Sequence, residues 1–154
     1  MPKPFTPFQF EPQNKMEMLV SKQKFLKDKI KSRCITYNWH QSEVSFLEAV
    51  FAKGDRRLSK VLENAVWLGC KFDSWSDCFL YEKWEEAFRR SGINPEYYAY
   101  RKISYDEILP WDMIDVGVTK EFLIKEHQKA YQEETTPSCR EKCAGCGATC
   151  FKGG

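Results

Sequence analysis

Four cysteines crowd the end of this 154-residue chain: Cys139, Cys143, Cys146 and Cys150, in the segment TTPSCREKCAGCGATCFKGG. The first three form C-x3-C-x2-C, and the fourth follows after three more residues. Two or three intervening residues let a turn bring sulfurs around one centre, and Gly145 and Gly147 permit the positive φ angles such a wrap requires. Thiolate is the ligating species, and Arg140 and Lys142 help to lower the thiol pKa values. Four thiolates satisfy a tetrahedral zinc ion or a four-iron cluster, and three hold a cluster with one open iron. The spacing favours iron–sulfur over zinc. Cys34, Cys70 and Cys78 stand singly and read as small buried hydrophobes, and an odd total of seven argues against a fully paired disulfide scaffold.

Two further segments could carry contacts. In Gly54-Asp55-Arg56-Arg57 the arginines fall in the first turn of a helix whose free amides suit an anion or partner, although Asp55 also reads as a plain N-cap. Trp111 and Asp112, followed by Asp115 and preceded by Asp106 and Glu107, make an acidic and aromatic segment around Pro110. Paired carboxylates there suit acid–base work, but Ser104 and Glu107 also fit a structural capping box. His40 beside Trp39 reads as a hydrogen-bonded surface histidine, and His127 on an apolar helix face as core. No Ser/His/Asp set, P-loop or G-x-G-x-x-G occurs.

Charge narrows the classes of function. Lys plus Arg number 24 and Asp plus Glu 22, so the net charge is +2 and no global field draws the chain to nucleic acid or an anionic membrane. Residues 15–33 nonetheless carry seven basic and two acidic side chains, a local +5. The ordinary meaning of such a run is a solvated helix face; an RNA contact, with support from the tyrosines at 97–100, is the minor reading. Nucleic acid is therefore an unfavoured partner. No run of 18 apolar residues exists, and MPKPFTPFQF has neither the basic start nor the apolar run of a signal peptide. A soluble, cytoplasmic protein is expected. Hydrophobic residues at 42% and charged residues at 30% are an ordinary globular mixture, and aromatics at 15% allow a core of few, large side chains.

These segments need a scaffold, and the periodicity predicts a mainly α-helical one. Pro2, Pro4, Pro7 and Pro12 exclude a helix from residues 1–14, which form an extended arm whose Phe5, Phe8 and Phe10 must lie on this domain or on a neighbouring one. A helix is predicted over residues 16–33, with Met16, Leu19, Val20, Leu26 and Ile30 on one side. Ser42 caps the next, closed by Gly54; Asp55 caps another, with Leu58, Val61, Leu62 and Ala65 inward and Gly69 as its end. Residues 80–90 follow, stopped by Gly92, then a turn from Asn94-Pro95. Thr119 caps a last helix to about residue 133, with Leu123, His127, Ala130 and Tyr131 inward. CITYNW at 34–39 and the alternation Ile114, Val116, Val118 predict one or two short β-strands. The irregular Cys-rich tail covers 135–154, and the helical body 15–134.

PKPFTPFQFEPQ, SEVSFLEAVFAKGDRRL, GCKFDSW, YAYRKISYDEILPWDMIDVGVTKEFL and ETTPSCREKCAGCGA together resemble, over nearly the whole chain and in the same order, the C-terminal region of cobalamin-binding-type radical SAM proteins of unassigned function. In that family the proline-rich stretch follows the last strand of the radical SAM barrel, so the resemblance implies a chain that starts where a catalytic barrel stops. It implies a fragment or split-gene half, inactive alone, whose partner is the barrel domain and which meets SAM only through that missing barrel. The family's SAM-binding cluster motif lies far upstream, and the C-x3-C-x2-C here shares its spacing without the barrel strands that would complete it. The resemblance therefore implies an additional iron–sulfur cluster on the tail, of the 4Fe-4S kind, with Cys139, Cys143 and Cys146 as ligands and Cys150 lacking a clear family counterpart. The rival class is a zinc-stabilised protein-interaction or RNA-binding module without a redox role.

Overall fold

The computed structural model describes residues 1–148. Among them the chain is mainly helical, with six α-helices and no strand: α1 (Met16–Lys29), α2 (Ser42–Ala52), α3 (Ser59–Trp67), α4 (Tyr81–Ser91), α5 (Pro95–Tyr100) and α6 (Lys120–Tyr131). The chain divides into two compact units. One spans Pro12–Arg101; the other joins Pro2–Glu11 to the residues from Lys102 onward.

In the first unit α2 to α5 supply the core. Phe46, Ala49 and Val50 on α2, Val61 and Ala65 on α3, and Trp84, Ala87 and Phe88 on α4 recur at three- and four-residue spacing, so each helix turns one apolar stripe inward. Tyr98 and Ala99 of α5 close the cluster. Ser42 is the first residue of α2 and does not cap it, Gln41 standing before it, and α1 stops at Lys29; α3 ends at its expected glycine. Gly69 donates its N–H to the Val66 carbonyl and Cys70 to that of Ala65, the paired bonds that finish a helix at a following glycine. Gly54 works differently from the expected stop. Its φ is not positive; instead an added Cβ would lie 2.1 Å from Leu58 Cδ1 and 2.9 Å from the Val50 carbonyl oxygen. Glycine is there for space, because the chain turns tightly over Leu58.

Several inward assignments do not hold. Leu62 is exposed on α3, next to exposed Val66 and Trp67, since Val61 and Ala65 already fill the stripe. No residue of α1 is buried: Met16 packs on the core, while Met18, Val20, Phe25 and Leu26 face outward.

In the second unit the arm is part of the core. Thr6 precedes a single 3₁₀ turn, Pro7–Phe10, so the arm is not extended throughout. Phe10 is 0% exposed and packs with Ile103, Leu109, Trp111 and Leu123. Its carbonyl accepts the Ile103 N–H at 2.9 Å, and Gln9 Oε1 accepts both the Phe5 N–H and the Trp111 indole N–H at 2.9 Å. Thus Phe10 is covered by this chain, whereas Phe8 stays exposed. Thr119 caps α6 as the sequence implies, its hydroxyl accepting the Phe122 N–H.

Neither predicted strand is present. A strand requires a neighbouring strand to pair with its N–H and C=O groups, and neither segment has one among the described residues. Residues 34–39 run as irregular chain with Tyr37 and Trp39 stacked on each other, centroids 5.1 Å apart. At 113–118 the backbone closes turns instead: the Ile114 N–H reaches the Trp111 carbonyl and the Gly117 N–H the Asp115 carboxylate.

Candidate functional site

The cysteine loop is tied to α6 at both ends. At its start the Thr136 hydroxyl donates to Glu126 Oε1 at 2.6 Å and accepts from Lys129 Nζ at 2.7 Å. Those two contacts, Thr136 first, hold the Glu126 carboxyl below the ordinary carboxylate range. At its far end the Cys146 carbonyl accepts the Thr119 N–H at 2.9 Å, just ahead of α6. Gly147 sits so close that a Cβ would lie 2.8 Å from Thr119 Cγ2 and 3.0 Å from the Gly117 carbonyl oxygen, and its φ of +102° suits glycine alone. Gly145, at φ +68°, turns the chain just before.

Between these anchors the Glu141 and Lys142 N–H groups bond the Ser138 carbonyl, which curls the chain from Cys139 towards Cys143. The thiols of Cys139 and Cys143 are exposed and that of Cys146 is half-buried; Cys150 lies outside the described residues. Among the described residues no three Cys, His, Asp or Glu side chains come together as a metal site. The donor set is soft and closely spaced, so it fits a thiophilic metal, and gathering it is work the metal itself would do, since ligand binding supplies free energy to order such loops. Of the single cysteines, Cys70 is buried as expected, and burial raises its thiol pKa; Cys78 is half-buried and Cys34 exposed.

The Asp55–Arg57 junction is satisfied within the chain. Asp55 Oδ1 accepts the Arg57 N–H at 2.9 Å, and its carboxylate takes the Arg57 guanidinium, with NH2 to Oδ2 at 2.6 Å. The Arg57 hydrogen bond lowers the Asp55 pKa, and the same bond raises that of Arg57. Tyr98 lies beneath that guanidinium at 5.6 Å. Asp55 itself is thus the anion at this helix start, while Arg56 points into solvent.

Trp111 and Asp112 belong to the second unit and have structural work there. Trp111 is buried in the core, and Asp112 Oδ2 accepts the Leu109 N–H and Lys120 Nζ, both at 2.9 Å. Ser104 and Glu107 form a turn, the Glu107 N–H donating to the Ser104 carbonyl, with no helix following for a box to cap.

Sequence reasoning missed two constellations. The first surrounds His127, which is fully buried as expected but bonded on both ring nitrogens: Tyr105 Oη lies 2.6 Å from Nδ1, and Glu11 Oε1 lies 3.0 Å from Nε2. Tyr131 Oη donates to the same Glu11 oxygen at 2.5 Å, and Lys102 Nζ lies 3.4 Å from it. Burial pushes the Glu11 carboxyl up, but the Tyr131 hydrogen bond and the Lys102 charge outweigh it and hold it below its ordinary value. No local signal links Glu11 to a residue 116 positions away.

The second is a cavity of about 970 Å³ in the first unit, between the chain around Trp39, the side of α2 and the loop at 72–79. Its walls are aromatic, with Phe51, Phe79 and Trp84 deeper and Trp39, Phe72 and Trp75 at the rim. The density of Trp and Phe in KFDSWSDCF was the available signal. Comparison with protein-family models, curated proteins and solved structures finds no match for this chain.

Proposed function

We propose that the chain is a C-terminal accessory domain of a radical SAM iron–sulfur protein, and that its tail binds an additional iron–sulfur cluster through Cys139, Cys143 and Cys146, with Cys150 as fourth candidate. The observation that carries this reading is the loop from Thr136 to Cys146. It is fixed to α6 at both ends, bears three thiols at turn spacing and bends at glycines with positive φ. Such a loop loses less conformational entropy on closing round a metal than a free tail would. A cluster held there supplies a one-electron centre; the chain supplies its ligands and position.

The sequence resemblance to the family adds the partner, a radical SAM barrel in the same parent chain or a separate subunit. Exposed Ile108 and Met113 in the second unit support a covered face, because large apolar side chains in solvent mark association surfaces. Alone, the chain forms no 5′-deoxyadenosine from SAM.

The test is anaerobic reconstitution with iron and sulfide, followed by metal analysis and visible absorption. Bound iron and sulfide that fall away in Cys139→Ser, Cys143→Ser and Cys146→Ser support the reading. Colourless, metal-free protein with all thiols open to alkylation refutes it. Uptake of zinc in place of iron selects the zinc-stabilised interaction module.

A further inference from the structure

The aromatic cavity of the first unit has a volume of about 970 Å³, enough to hold a whole small organic molecule. Phe51, Phe79 and Trp84 form its deeper wall, and the rings at its mouth stand in solvent: Trp75 is 62% and Phe72 71% exposed. These two rings meet edge-on, centroids 6.0 Å apart and planes at 81°, and so make a corner. Large rings left in water around a cavity mouth mark a surface that a ligand covers. Trp39, on the same rim, already draws a cation, since Lys27 Nζ lies 5.7 Å from its ring centre.

Charge selects the class of ligand. Among the described residues no lysine or arginine lines the cavity, whereas two acidic residues, Glu48 and Asp73, do. Neither makes an ion pair among the described residues. Their charges make the potential in the cavity negative, an effect that weakens with distance but needs no direct contact, and apolar walls focus it. Phosphates and carboxylates are therefore turned away. A positive charge is drawn in, and the aromatic faces attract it further through their quadrupoles, tryptophan most strongly. A bare metal ion gains little from such walls, because hard cations need a shell of oxygen ligands. The ligand that matches both the walls and the charge is a cation on an apolar body.

We propose that this cavity binds a small organic cation, a substituted ammonium carried on an apolar body. Phe72 and Trp75 receive the ammonium at the mouth, Glu48 and Asp73 supply the opposite charge, and Phe51, Phe79 and Trp84 cover the apolar body. The cysteine loop lies in the other unit and takes no part.

The test is titration of the full chain with benzyltrimethylammonium, followed by ligand-observed NMR. Neopentylbenzene, in which carbon replaces the charged nitrogen, is the neutral isostere, and phenylacetate is the anion. The cation is expected to bind about tenfold more tightly than the isostere, with affinity that falls as salt rises, and phenylacetate is expected not to bind. Trp75→Leu keeps an apolar side chain without a π face. It is expected to weaken cation binding about fivefold and to change isostere binding by less than about twofold. Glu48→Gln keeps the shape and removes the charge, so it is expected to weaken the cation alone, by about threefold. Both side chains are exposed, so the variants keep the helical circular dichroism of the parent. No cation binding at millimolar concentration, isostere or phenylacetate binding as tightly as the cation, or cation affinity unchanged in both variants overturns the proposal. Cys139→Ser is expected to leave cation binding unchanged while removing the cluster, so the two readings fail separately.

Discussion

Replacing Phe10 by alanine tests whether the proline-rich arm is part of the second unit's core. The ring is fully buried against Ile103, Leu109, Trp111 and Leu123, and it meets Tyr105 edge-on at 4.9 Å and His127 at 5.4 Å. Burial of a phenylalanine removes about 150–250 Å² from water, worth about 4–6 kcal/mol at 25 cal/mol per Å² as an upper bound. Measured Phe→Ala costs run about 3–5 kcal/mol. The site collapses poorly into the gap, because the Gln9–Trp111 and Phe10–Ile103 hydrogen bonds hold its walls in place. The upper half of the measured range is therefore expected.

At about 1.4 kcal/mol per tenfold, that loss raises local opening by more than about a hundredfold. Hydrogen exchange followed by mass spectrometry reads it directly. Peptides covering 103–111 are expected to lose protection, while those covering 61–66 in the first unit serve as the internal reference. Phe10→Leu keeps most of the volume and is expected to lose about 1–1.5 kcal/mol. Protection at 103–111 within about fivefold of the parent in Phe10→Ala would refute the reasoning, since it limits the loss to about 1 kcal/mol.

Gly54→Ala forces a Cβ within 2.1 Å of Leu58 Cδ1 and 2.9 Å of the Val50 carbonyl, so a stability loss of about 1–3 kcal/mol is expected by denaturant titration. Gly147→Ala, strained at φ +102° and crowded by Thr119, is expected to detach the end of the cysteine loop and to lower iron incorporation on reconstitution without altering the spectrum of what is bound. The Glu11 carboxyl is held below its ordinary value in the folded chain, so its contribution is present above the unfolded pKa and is lost as pH falls through the lower folded value. Glu11→Gln is expected to flatten this part of the stability–pH curve of the second unit. Asp55→Ala removes an N-cap acceptor and is expected to cost about 1 kcal/mol in thermal unfolding.

Local chemistry determined most of what the amino-acid sequence shows by itself. Thr119 before α6, Asn94-Pro95 before α5, and Gly69 and Gly92 after their helices act through bonds to residues two to five positions away, so those boundaries were legible. The apolar stripes of α2 and α4 were legible for the same reason, since helical geometry sets which residues share a face. Cysteine spacing is likewise local and marks a candidate ligand loop without a fold.

Tertiary structure decided what depends on distant partners. CITYNW has the composition of a strand, but a strand exists only where another pairs with it, and here Tyr37 and Trp39 are free to form a stacked rim instead. Leu62 carries the same hydrophobicity as Leu58, yet only the packing of α3 and the turn before it against their neighbours left one outside and one within. The joining of Glu11 to His127, of Gln9 to Trp111 and of Cys146 to Thr119 spans separations that no periodicity encodes. Such contacts form because the chain's large aromatic and apolar groups leave water together, and where they meet is a property of the whole packing.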